Sequence, residues 1–81
     1  MDDEELLRRI GELVDEEHQL ERRAGPGKPL DEDEAQRLAQ LEVALDQCWD
    51  LLRQRRARRN AGQDPDTAHV RPADVVEGYQ Q

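Results

Sequence analysis

Asp15 and His18 stand three residues apart in the run Asp15-Glu16-Glu17-His18. On a helix that spacing stacks a carboxylate and an imidazole on one face. Di-metal helical bundles use such a carboxylate-x-x-His unit, together with inward acids from neighbouring helices. Only Glu42 flanks the apolar seam of the second helical segment, so Asp15 and His18 are weak metal candidates on a solvated acidic face. Cys48 is the single cysteine and lies between leucines at a seam position, where a thiol behaves as a small hydrophobe. Neither His18 nor His69 is placed to act as its base. The chain has no serine, hence no serine nucleophile. Gly25-Pro26-Gly27-Lys28-Pro29 superficially resembles a phosphate-binding loop. That loop requires Lys followed by Ser or Thr after a strand, whereas here Pro29 follows and no strand precedes. The stretch reads as a turn.

The remaining chemistry is basic. Arg53 to Arg59 holds five arginines in seven residues. Alone, such a run points to nucleic acid or an acidic protein. Its surroundings argue for internal pairing: residues 1–34 carry a net charge of −8, residues 35–60 +3 and residues 61–81 −3. The run closes a helix, where cations suit the dipole, and no aromatic interleaves it for base stacking.

These residues need elements to position them. From Asp2 to Ala24, Leu6, Ile10, Leu13 and Leu20, with Leu7 and Val14 beside them, form one broad helical stripe. Acids fill the first turn, and Arg22 and Arg23 the last. Gly11 interrupts the segment at about 1 kcal/mol relative to Ala, which leaves room for a close-packed neighbour. Two Gly and two Pro within residues 25–29 stop the helix, and Gly25 suits a left-handed cap. Asp31 and Glu34 then make a capping-box start. Leu38, Leu41, Leu45, Cys48 and Leu52 follow at alternating spacings of 3 and 4, flanked by Glu42 and Trp49. Asn60 and Gly62 are plausible stops. A turn this short folds the helices back antiparallel, bringing the acidic start of the first beside Arg53, Arg55 and Arg56.

Composition sets the bounds. The chain has 81 residues, a net charge of −8, no Phe, one Trp and one Tyr, which excludes a sandwich or barrel. About half of the chain is Ala, Glu, Lys, Leu or Arg, as in long helices and coiled coils. No apolar run approaches the ~18 residues of a membrane span. The acidic N-terminus is the reverse of a targeting peptide, so a cytoplasmic location is expected.

The stretch Leu45-Asp46-Gln47-Cys48-Trp49-Asp50-Leu51-Leu52-Arg53-Gln54-Arg55-Arg56-Ala57-Arg58-Arg59 resembles a short bacterial family of uncharacterised proteins, domain of unknown function 2630. Val14 to His18 and Val70 to Tyr79 are similar to the same family. The resemblance covers nearly the whole chain. It implies a complete small protein and supplies no catalytic residue.

The expected fold is all-α: residues 1–62 form an antiparallel two-helix hairpin, with helices over about 2–24 and 31–60 and a turn at 25–30, and residues 63–81 form a mostly extended tail. Two stripes cannot bury each other fully, so dimerisation into a four-helix bundle is expected. The tail valines and Tyr79 are expected to pack near Trp49 and Leu52. The function expected is a non-catalytic, self-associating interaction or scaffold module. It takes no cofactor, binds no membrane, and is not expected to bind nucleic acid. Interaction candidates are Trp49, Leu52, Arg53, Arg55, Arg56, Arg59, Val75, Val76 and Tyr79. The alternative is a small regulator that uses the Arg53–Arg59 end on nucleic acid or an acidic protein partner.

Overall fold

The computed structural model describes residues 1–78 and is all-helical. Helix α1 runs Asp3–Arg23, α2 runs Glu32–Asn60, a single 3-10 turn covers Pro65–Thr67, and a short α3 covers Ala73–Gly78. The molecule is elongated, 53 × 26 × 16 Å.

Local chemistry explains each boundary. Asp2 caps α1 by accepting the Glu5 N–H at 2.8 Å. At α2 both halves of the capping box form: Asp31 accepts from the Glu34 amide at 2.8 Å, and Glu34 accepts from the Asp31 amide at 3.2 Å. The turn closes through paired backbone bonds between Gly25 and Lys28, 3.0 and 2.8 Å long. Its left-handed residue is Gly27, at φ +80°, and not Gly25. Helix α1 instead ends on Ala24 in extended conformation, so the turn and not the helix cap needs the glycine. Helix α2 ends in a Schellman motif, with the Gln63 amide on Arg58 O at 2.7 Å, the Gly62 amide on Arg59 O at 3.1 Å, and Gly62 at φ +76°.

Leu6, Ile10, Leu13 and Leu20 of α1 pack with Leu41, Leu45, Leu51 and Leu52 of α2, edged by Val14, Leu38, Ala44 and Cys48. The helices are antiparallel: Asp3 of α1 reaches Arg55 near the end of α2, and Glu16 reaches Arg37 near its start. Two expectations need correcting here. Leu7, placed on the stripe by its spacing, is 47% exposed, while Leu51, outside the heptad seam, is buried. The tail is not mostly extended either. It winds into the 3-10 turn and α3, and both pack on α2. Ala68 joins the edge of the core, and Val76 is buried.

Candidate functional site

The hairpin has two unlike sides. One is fixed by a groove of about 190 Å³, lined by Leu6, Arg9 and Leu13 of α1, Ala44, Gln47, Cys48 and Leu51 of α2, and Val70 of the tail. The Arg9 edge of α1, the Gln47–Leu51 edge of α2 and the tail therefore share one side. At 3.6 residues per turn, Leu7, Gly11 and Val14 point roughly opposite to Arg9 around α1. Glu42, Trp49, Arg53 and Arg56 point roughly opposite to Gln47 and Leu51 around α2. The second side thus carries both of these rows. Helix α3 borders it at Glu42, where Glu77 lies near Asp46 and Glu42, while Leu7 and Trp49 stay exposed.

The tail side is held by ions and hydrogen bonds. Asp50 is only 2% exposed. Arg71 of the tail makes a two-pronged contact with it, Nε to Oδ2 at 2.8 Å and Nη2 to Oδ1, and Gln54 donates to Oδ2 at 2.9 Å. The Arg71 guanidinium holds the Asp50 carboxyl below its ordinary value against the opposing effect of burial. Gln54 also donates to His69 O at 2.8 Å, and Gln47 to Arg71 O at 3.1 Å. Buried Arg55 ties three segments together. Its Nε donates to Asp3 at 2.5 Å, and its Nη1 to Asp66 at 2.9 Å and to Pro65 O at 3.3 Å. Arg59 completes the cluster on Asp3 at 2.8 Å. The two guanidiniums hold the Asp3 carboxyl below its ordinary value.

The same side bears a second groove of about 290 Å³ near the turn, lined by Glu16, Leu20, Arg23, Glu34 and Arg37. Its arginines are engaged with its own acids: Arg37 spans Glu16 at 2.5 and 2.9 Å, and Arg23 meets Glu34 at 3.4 Å. Burial pushes the Cys48 thiol up, away from the thiolate a nucleophile needs. Asp15 and His18 are both exposed. Among the described residues, no group of three or more His, Cys, Asp or Glu is gathered to hold a metal ion.

The interaction candidates divide between the sides. Leu52 is buried in the α1–α2 seam, Val76 is buried in α3, which packs on α2, and Arg55 and Arg59 are bound to Asp3. Trp49 stays 42% exposed, Val75 is equally open, and Arg53 and Arg56 are exposed. Among the described residues, neither Arg53 nor Arg56 makes an ion pair. The pairing expected between the acidic start of α1 and Arg53, Arg55 and Arg56 therefore runs through Arg55 and Arg59 instead. The tail folds back within its own chain, but its anchor is Asp50 and not Trp49. Tyr79 lies outside the described residues. Helical spacing alone does not single out Asp50 or Arg71. The available signal was a carboxylate inside the run Cys48–Leu52, matched by the lone basic residue of the tail.

No helix of the described residues is long and apolar enough to cross a membrane. A family described as "Protein of unknown function (DUF2630)" matches residues 2–81. Uncharacterised proteins of Mycobacterium bovis and Mycobacterium tuberculosis are each 53% identical over 77 residues, spanning 95% of this chain and 88% of theirs. No solved structure matches the chain significantly. With a match across almost all of its length and relatives of this identity, the chain belongs to the DUF2630 family.

Proposed function

We propose that this protein is a non-catalytic helical module that works by self-association, with the bare side of the hairpin as its contact surface. The observation carrying the reading is the exposure of Leu7 and Trp49, 47% and 42%, beside partly buried Val14. Large apolar side chains grouped on one surface mark an interaction site, and tryptophan is a favoured anchor. The tail supplies a third layer on the opposite side, although Val70 and Val75 stay exposed there. The rival reading, a basic regulator of nucleic acid or an acidic protein, loses two of its five arginines to Asp3 and Asp66. The net charge of −8 further opposes phosphate binding.

Light scattering across a dilution series, with circular dichroism on the same samples, tests the reading. The mass should rise above 9.4 kDa toward twice that value with increasing concentration. A helical monomer that persists at millimolar concentration would overturn it.

A further inference from the structure

We propose that the partner on the bare side is a second copy of this chain, docked antiparallel about a two-fold axis that passes near Gly11 and Trp49. This identification rests on the self-association reading and adds to it the orientation of the pair. Three observations support it.

The first is the order of side chains along the bare side. On α2, Glu42, Trp49, Arg53 and Arg56 are spaced 7, 4 and 3 apart, which places them in one row. On α1, Glu4, Leu7, Gly11 and Val14, spaced 3, 4 and 3 apart, form the matching row, and Glu21 extends it one heptad beyond Val14, toward the turn. Because the helices are antiparallel, the face is net basic at the Arg53–Arg56 end, where Glu4 also falls on the row, apolar around Leu7, Gly11 and Trp49, and acidic from Glu42, level with Val14, to Glu21. A two-fold rotation that reverses such a face sets each basic end on an acidic end and apolar centre on apolar centre. An isologous contact must be self-complementary in this way. A parallel arrangement would set like charges together at both ends.

The second is the charge state of the arginines. Arg53 and Arg56 are exposed and make no ion pair among the described residues, while Arg55 and Arg59 of the same run are engaged with Asp3. The folded protomer thus leaves two cations of the run for another surface. In the docked pair they meet Glu21 and Glu42 of the partner subunit.

The third is Gly11. A glycine inside a helix costs about 1 kcal/mol relative to Ala. A Cβ built at Gly11 would meet nothing within 4 Å, so packing within the protomer does not require a glycine there. Its position between Leu7 and Val14 puts the smallest residue of α1 where two copies cross, allowing close approach.

Charge exchange tests the orientation. Arg53→Glu with Arg56→Glu, and separately Glu21→Arg with Glu42→Arg, should each weaken self-association at least about ten-fold by setting like charges together. All four changes in one chain should restore wild-type association, since the reversed pattern is again self-complementary when antiparallel. Sedimentation equilibrium reads the constants, and circular dichroism confirms that each variant remains helical. Half-variants that associate as tightly as wild type, or a fourfold variant that stays as weak as the half-variants, would overturn the orientation while leaving self-association standing. A wild-type chain that is monomeric throughout would remove both.

Discussion

The two sides of the hairpin solve the same problem differently. Each flank of the α1–α2 seam leaves apolar surface open, because two helical stripes cannot enclose each other. On one flank the chain covers itself: the tail, fastened by Asp50–Arg71 and Arg55–Asp66, packs on α2 with its own Val76 buried. On the other flank Leu7 and Trp49 stay open, and the nearby arginines are unpaired among the described residues. The comparison teaches that apolar content alone does not decide where a small helical protein is sticky. A flank with non-local polar partners is closed by its own chain, and a flank without them is left for another molecule.

The largest effect is expected on the closed flank. Arg71→Gln leaves the Asp50 carboxylate, 3% exposed at its side chain, with the Gln54 hydrogen bond but without its cation. Removing one partner of a buried pair costs roughly 3–5 kcal/mol, and the lower end applies because Arg71 is itself partly exposed. Chemical denaturation should show that loss, with faster hydrogen exchange in residues 65–78. A loss under about 1 kcal/mol would mean that the tail is held by packing at Val76, since the median exposed pair is worth no more than that. Self-association should be nearly unaffected, which separates the two flanks.

A middle-sized effect of opposite pattern is expected on the open flank. Trp49→Ala should leave the denaturation midpoint of the dilute protein almost unchanged and weaken self-association by about 2 kcal/mol, the scale of an interface anchor. A large fall in the stability of the dilute protein would instead make Trp49 part of the fold.

The smallest effect concerns pH and belongs to the tail again. Asp3 and Asp50 are held below the ordinary aspartate value of 3.8 by their arginines, so their charged forms favour the fold. That support is complete above 3.8 and is lost as pH falls through the lower values of the folded state. Glu77 has the reverse sign. Burial, Asp46 and Glu42 raise it above 4.5, so its charge opposes docking of α3 near neutrality and protonation relieves this as pH falls through the raised value. Melting curves against pH should therefore show a slight gain on approach to 4.5 from above, then a steeper loss below 3.8. Glu77→Gln should abolish the gain and keep the loss. A monotonic fall from neutrality in the wild type would contradict the opposed signs.

What was legible in the sequence was local. Asp31 with Glu34, the glycines and prolines of residues 25–29, and the 3-4 spacing of Leu38, Leu41, Leu45, Cys48 and Leu52 act within a few residues of one another. They mark the two long helices directly. The closed flank was not legible, because Asp50 and Arg71 lie 21 residues apart and their pairing depends on the path of the chain after Gly62. Periodicity places Leu7 beside the stripe and leaves Leu51 off the seam, yet Leu51 is buried and Leu7 is open. Helical spacing says which residues share a face. It does not say which face a distant segment will cover, and the tail's ion pair falls on Asp50, next to half-open Trp49.

Trp49 is the single tryptophan of the chain, which makes it a direct reporter of the open flank. Acrylamide quenching of its fluorescence, followed across the concentration range in which the mass rises, tests the central claim. Contact through the bare side gives a blue-shifted emission and reduced quenching that track association, with no such change on deleting the tail. Association that leaves Trp49 as open to quencher as in the dilute protein would show that the copies meet elsewhere, and the bare side would not be the contact surface.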